Sequence, residues 1–239
     1  MKYGIQMYSL RDLTDKDLDA ALAAVAKMGY KQVEFAGFFG HSAEEISAML
    51  KKYDLEIIGT HSGWEDLRDN FEETVKFHHA IGNKRYIIPG ADLSTREKLD
   101  AFIDFINDVG PRIRAEGIEI GYHNHAHEFQ PTAEGVYIHS ELEKRTDVFF
   151  ELDTYWAFVA GLDPVKELER LGSRVRMIHL KDGTPDGNGL SLGSGEAPVA
   201  AVRAKAIEMG LDIVVESEGC NPTGVEEVSR CMDYLKSLD

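Results

Sequence analysis

Between Tyr122 and Glu128 the chain reads Tyr-His-Asn-His-Ala-His-Glu. His123, His125 and His127, the amide of Asn124 and the carboxylate of Glu128 all leave the end of one apolar run, 118–121. Imidazole nitrogens and carboxylate oxygens are the donors that divalent metals take from proteins, and both groups move protons near neutral pH. A lone histidine is more often a packed residue than a ligand. A cluster of this kind is not what packing asks for. The chemistry that the segment points to is metal binding, proton transfer, or both.

Those side chains need a frame. Short β-rich runs at 3–7, 32–35, 56–60, 85–88, 118–122, 148–152, 176–180 and 212–215 alternate with amphipathic stretches such as 18–28, 46–53, 71–81, 99–115 and 199–209. Helix starts carry capping signatures: Thr14 before Asp17, Ser42 before Glu45, Ser94 before Glu97 and Thr223 before Glu226, with Asp163-Pro164 as a cap followed by proline. Gly29, Gly82, Gly117 and Gly210 follow helical patterns, where a left-handed residue ends a helix. Eight alternating units predict an α/β fold, a (β/α)8 barrel in a single domain over 1–239. A doubly wound open sheet would want a glycine-rich turn after the first strand, where Ser9-Leu10-Arg11-Asp12 stands instead.

A barrel puts its active site at the C-terminal ends of its strands. Reading those ends in order gives Gln6, Tyr8 and Arg11 from the first strand, Glu34 from the second, and His61 from the third. The fifth gives the histidine cluster, the sixth Asp153, the seventh His179 and Lys181, the eighth Glu216 and Glu218. Glu128, Asp153, His179 and Glu216 come from four successive strand ends and are expected to converge on a divalent ion. Three carboxylates and one imidazole suit Mn2+, Mg2+ or Co2+ more than structural zinc, which favours thiolate; the ion's identity, Zn2+ included, is left open. Side-chain alternation turns Gly121, His123 and His125 toward the barrel if Ile120 and Tyr122 face the helices, so two imidazoles would line the pocket. Glu128 lies past the strand and must reach back, so the fourth ligand is either Glu128 or a histidine of the fifth strand. Gln6, Glu34, His61, Asn124 and Lys181 are expected to bind substrate. His78, His79 and His139 lie in helical patterns and read as packing or surface residues. The glycine-rich segment 182–195 has no arginine, and its plainer reading is a mobile loop over the substrate rather than a phosphate cradle.

Composition bounds the partners. With 42 acidic against 26 basic residues the net charge is −16, which repels nucleic-acid phosphates and anionic membranes and attracts a cation. No apolar run approaches the roughly 20 residues of a membrane span. The first residues lack the apolar core of a signal peptide, and Cys220 and Cys231 have no metal-like spacing, so both read as free thiols of a cytoplasmic protein. The expected partner is a small-molecule substrate, with no nucleic acid and no membrane; a homo-oligomer is compatible with the sequence.

The chain resembles the sugar phosphate isomerase/epimerase family, the xylose isomerase-like TIM barrels, over nearly its whole length. The resemblance is carried by Tyr122-His123-Asn124-His125 with Glu128-Phe129, Leu152-Asp153-Thr154 with Trp156 and Gly161, His179-Leu180-Lys181-Asp182, Val215-Glu216, and the opening Gly4-Ile5-Gln6-Met7-Tyr8-Ser9-Leu10-Arg11. It implies a divalent metal on Glu128, Asp153, His179 and Glu216, and a carbohydrate substrate. In ketose 3-epimerases of the family two metal-bound glutamates move the proton beside a carbonyl. This chain has Gly121 or a histidine where they carry the first glutamate, and lacks their arginine after strand seven. The resemblance therefore implies a metal-dependent isomerase or epimerase, with Glu216 and His123 or His125 in proton transfer. A lyase, dehydrating an inosose or cleaving a 3-keto-glycoside, is the alternative. Related barrels that cut DNA need a basic face, which the net charge of −16 opposes. A non-catalytic sugar binder would not need the intact ligand set.

Overall fold

A computed structural model describes residues 2–239. Eight parallel strands close into a barrel: β1 (Gly4–Gln6), β2 (Gln32–Ala36), β3 (Glu56–His61), β4 (Arg85–Ile88), β5 (Glu119–His123), β6 (Phe149–Asp153), β7 (Val175–Leu180) and β8 (Asp212–Val215). Closure comes from β1 pairing with β8, Gly4 opposite Val214 and Ile5 opposite Val215. Each strand leads to an outer helix: α1 (Leu18–Met28), α2 (Ala43–Tyr53), α3 (Phe71–Ala80), α4 (Arg96–Ala115), α5 (Ile138–Arg145), α6 (Pro164–Leu171), α7 (Val199–Met209) and α8 (Gly224–Ser237). The expected (β/α)8 architecture is the observed one.

Two corrections concern the caps. The residue that starts a helix is the one with extended backbone and a side chain aimed at the first turn. For α1 this is Asp17, accepting from Ala20 N–H at 2.9 Å, while Thr14 closes a short preceding helix, Arg11–Thr14. For α4 it is Thr95, accepting from Lys98 N–H at 3.3 Å, while the Ser94 hydroxyl donates to Asp92. Ser42 and Glu45 form the expected reciprocal box, and Thr223 and Asp163 cap α8 and α6. Gly29 and Gly210 end α1 and α7 in the left-handed conformation.

The strands sort their side chains by alternation. Phe150 and Leu152, Ile178 and Leu180, and Ile213 and Val215 are buried in the main core cluster together with helix residues such as Leu22, Ile103 and Val228. Inside the barrel, Ile58, Ile87, Phe149, Met177 and Val214 form an apolar plug. Gly121 faces that plug: a Cβ there would lie 2.4 Å from ring carbons of Phe149, so no side chain fits at this position of β5. Above the plug the inward positions turn polar, and the site begins.

The segment after β7 is not the mobile cover that its glycines suggest. Asp182 accepts backbone N–H groups from Gly183 (2.8 Å), Gly193 (2.8 Å), Gly195 (3.0 Å) and Ala197 (3.1 Å). A two-rung antiparallel ladder pairs Asp182–Gly183 with Gly189–Leu190. Gly195 stands so close that a Cβ would meet the Asp182 carboxylate at 2.3 Å. The glycines are there to let the backbone wrap one carboxylate.

Candidate active site

Each strand that contributes to the site points successive odd or even residues inward. Along β6 these are Phe149, Glu151 and Asp153; along β7 and just past it, Met177, His179 and Lys181; past β8, Glu216. Asp153 is fixed first. Its Oδ1 accepts from Trp156 N–H at 2.8 Å, capping a short helix, Thr154–Val159. Asn124 holds its backbone on both sides, accepting from Asp153 N–H at 3.0 Å and donating to its carbonyl at 3.3 Å. Asp153 Oδ2 is thereby left free to face the barrel axis.

There it meets three other donors. His123 Nε2 lies 3.3 Å from Asp153 Oδ2, and His179 Nδ1 lies 3.0 Å from Glu216 Oε2 and 3.8 Å from Asp153 Oδ2. One ligand atom from each of His123, Asp153, His179 and Glu216 falls within 4.8 Å of the others, and all four residues are buried. Glu128 is not among them. Past β5 the chain enters a single turn, His127–Phe129, which carries the Glu128 carboxylate back onto Tyr122 OH (3.0 Å) and the N–H of His125 (2.8 Å). The expected convergence of Glu128 with Asp153, His179 and Glu216 is therefore corrected. His123 stands in its place, and Glu128 supports the β5 turn, within reach of the exposed His127 at 3.3 Å.

A second correction concerns Gln6, Glu34 and Asn124, expected against substrate. All three are fully buried and none lines the cavity. Gln6 donates to Glu34 Oε2 at 2.7 Å, and the same oxygen lies 2.7 Å from His179 Nε2. These residues sit one inward layer too deep for substrate; Gln6 and Glu34 brace His179 from below while Asn124 holds Asp153. Glu151 joins them, 3.2 Å from His179 Nε2 and 2.6 Å from His61 Nε2. It was missed at the sequence level, although its spacing of two residues from Asp153 on an all-inward face was a legible signal.

The field is strongly negative. Burial disfavours charge on His179, but Glu151, Glu216 and Glu34 outweigh it and hold the imidazole well above its ordinary pKa. Burial likewise works against His61, and Glu34 and Glu151 outweigh it in the same direction. For Glu34, burial and the neighbouring Glu151 carboxylate push the pKa up. Burial opposes ionisation of Glu216, yet Lys181 and His179 keep it well below the usual carboxylate range. Lys181 is buried beneath the Trp156 ring, its Nζ 4.9 Å from the centroid. It lies 3.0 Å from Glu216 Oε2 and 3.2 Å from Asp153 Oδ2, and it also pairs with Glu218. Those carboxylates outweigh burial and raise its pKa, so it stays an ammonium. His125 is the exception. Burial and the adjacent His123 push it down to about 4, leaving a neutral imidazole at pH 7.

A cavity of about 470 Å³ opens over this floor, lined by His61, His123, His125, Glu216 and Glu218 with Tyr8 and Trp156 as aromatic walls. Two imidazoles and two carboxylates converging below a negative cavity fit a divalent cation of borderline hardness. The pairing of His179 Nε2 with a buried carboxylate matches the outer-shell hydrogen bond that orients metal-binding histidines. Three further histidines lie elsewhere: His78 is packed beside Tyr86 and Asn83, His139 is stacked between Phe129 and Phe150, and His79 donates from Nε2 to the Glu116 carbonyl. Among the described residues no helix is long and apolar enough to cross a membrane.

The family model of the xylose isomerase-like TIM barrel matches residues 22–238. The inosose dehydratase of Mesomycoplasma hyopneumoniae is 31% identical over 195 residues, 70% of this chain and 63% of that protein. The inosose dehydratase of Geobacillus kaustophilus is 24% identical over 189 residues, 69% of this chain and 61% of that protein. The chain thus spans less than two thirds of these relatives' length. A solved sugar phosphate isomerase/epimerase from Parabacteroides distasonis superposes with a TM-score of 0.84 at 28% identity, covering 98% of this chain and 97% of that one.

Proposed function

Because this chain belongs to the xylose isomerase-like TIM barrels, we propose that it is a metal-dependent carbohydrate enzyme that removes the proton beside a carbonyl. The observation that carries the reading is one juxtaposition. His123, Asp153, His179 and Glu216 converge at the floor of a cavity whose wall holds the imidazole of His125. A divalent ion on those four residues would polarise a substrate carbonyl and stabilise the charge that builds on its oxygen.

The protein's own groups do the rest. A ring nitrogen of His125 accepts the proton from the carbon beside the carbonyl. The C–H electron pair moves into the carbonyl and gives an enediolate. In elimination the pair returns to form a C=C bond, the bond from the next carbon to its oxygen substituent breaks, and that oxygen takes up a proton. His125, now protonated, supplies it, while the buried Lys181 ammonium keeps the Asp153, Glu216 and Glu218 carboxylates ionised beneath the cavity. Tyr8 and Trp156 flank the ring and exclude water.

Elimination is favoured over epimerisation by what β5 lacks. Position 121 is filled by the Phe149 ring and Glu128 is turned away, so β5 supplies no glutamate to pair with Glu216. The naming of the 31% identical relative as a dehydratase supports the same outcome. Isomerisation or epimerisation is the second reading, supported by the Parabacteroides distasonis structure at 28% identity. Both need proton removal first. Protein loaded with Mn2+ and given keto-sugars, keto-inositols and keto-glycosides in D2O separates them by NMR. Loss of water or aglycone supports the lyase, and deuterium uptake with the carbon skeleton retained supports the isomerase. No exchange on any of them refutes both. Full activity of Glu216→Gln and His125→Ala would refute the residue roles.

A further inference from the structure

The chemistry above uses only one member of a second cluster of ligand-type side chains, at the β5 turn. One donor atom from each of His125, His127 and Glu128 lies within 4.8 Å of the others. This trio shares no residue with the floor cluster of His123, Asp153, His179 and Glu216. The turn itself assembles it. After β5 the chain passes through Ala126 into the single turn His127–Phe129, which sets His125 and His127 side by side and returns Glu128 toward them. The two rings stack at 5.8 Å with an interplanar angle of 21°. His127 Nε2 lies 3.3 Å from Glu128 Oε1.

Glu128 is held as a ligand would be. It is fully buried; Tyr122 OH donates to Oε1 at 3.0 Å and the N–H of His125 to Oε2 at 2.8 Å. A carboxylate oxygen has two lone pairs, so each oxygen keeps one for a cation. Hydrogen bonds of this kind orient the carboxylates that bind metals. Among the described residues no lysine or arginine pairs with Glu128, and its one ion-pair partner is His127. Burying an anion without a fixed cation is costly, and an ion at this place removes that cost. The His127 side chain is 62% exposed, so an ion reaches the trio directly from solvent. Two imidazoles and one carboxylate, with a fourth position open, suit Zn2+. Mn2+ stands at the weak end of the affinity order for such donors and Zn2+ near the strong end, so Mn2+ at the floor leaves the trio unfilled.

We propose that His125, His127 and Glu128 form a second metal site at the rim, which takes Zn2+ and inhibits the enzyme when filled. The inhibition rests on the reading of His125 as the base. A neutral imidazole carries one nitrogen with a lone pair, and its other nitrogen bears the N–H. With that lone pair on Zn2+, His125 has nothing left to receive the substrate's proton. Titration with Zn2+, followed by equilibrium dialysis and by 1H–15N spectra of the imidazole rings, compares the protein with His127→Ala. The unsubstituted protein should bind a further Zn2+ once the floor is filled, and the ring signals of His125 and His127 should move with it. In His127→Ala that further binding should weaken at least about 100-fold, with the floor unaffected. Zn2+ added to Mn2+-loaded protein should inhibit proton exchange of a keto-sugar in D2O more strongly than in His127→Ala, because replacement of Mn2+ at the floor is common to both. Binding of a single Zn2+, or a further Zn2+ that survives His127→Ala, overturns the site. A further Zn2+ at the two rings with equal inhibition of both proteins overturns the gating and counts against His125 as the base, so the failure of the site is distinguishable from the failure of the base.

Discussion

Replacing His123 by alanine should remove divalent-metal binding, whereas replacing Glu128 by glutamine should leave it intact and cost stability instead. His123 Nε2 is one of four donors within 4.8 Å of one another. Loss of outer-shell partners alone lowers metal affinity by about 10–100-fold. Loss of a donor itself should therefore exceed about 100-fold, or about 2.7 kcal/mol. Glu128 has a different task. It is buried and accepts from Tyr122 OH at 3.0 Å and His125 N–H at 2.8 Å. A glutamine there keeps one acceptor and turns an NH2 group against the other donor. Such a buried mismatch costs about 1–3 kcal/mol. In a chain of this size that lowers Tm by about 2–12 °C. Isothermal titration with Mn2+ and a thermal melt of each variant read the two quantities separately. Mn2+ binding lost in folded Glu128→Gln but kept within about threefold in His123→Ala would refute the assignment.

Glu34→Gln should lower Mn2+ affinity about 10–100-fold while the barrel stays folded, because the carboxylate 2.7 Å from His179 Nε2 orients that ring; unchanged affinity counts against the bracing role. Asp182→Ala removes the acceptor of four backbone N–H groups, and hydrogen exchange across 183–197 should lose protection while the barrel strands keep theirs; equal protection would show that the loop is held by other means. Burial pushes His139 down to about 3 and His78 down to about 4. Folded-state values below the ordinary one of about 6.5 mean that protons favour the unfolded chain, so this stability is complete above about pH 6.5 and is lost as pH falls toward 4. Between pH 6.5 and 5 each group removes about 2 kcal/mol. His139→Phe should shrink the acid-induced loss by about that amount in urea melts at the two pH values, and an unchanged difference would contradict the buried neutral imidazole.

Much of this architecture follows from short-range rules. The alternation of β-rich and amphipathic runs, the Ser42–Glu45 box and the glycines at 29 and 210 act within a few residues, and they fold as they read. The inward rows were legible too, since a strand's side chains alternate: once Asp153 is assigned inward, Glu151 must follow, and His179 carries Lys181 with it. The caps at 17 and 95 were read one turn or one residue early because spacing alone does not tell which of two neighbouring polar residues takes the extended backbone.

The limit of such reading lies where the strand ends. Alternation sets a side chain's direction only while the backbone stays extended. His123 is the last residue of β5 and its direction is inherited from the strand; Glu128 is beyond it, in a turn whose course is set by Tyr122 OH and the His125 N–H. Sequence by itself thus determined the barrel, the four strand ends and the kinds of donor they carry. Closure of the barrel decided the rest. It brought Glu34 of β2 against His179 of β7, 145 residues away, made Gln6 and Glu34 supports rather than pocket walls, and chose an imidazole over a carboxylate beside Asp153. Those choices depend on which side chains share a layer across the barrel, and that distance exists only after the sheet has curved shut.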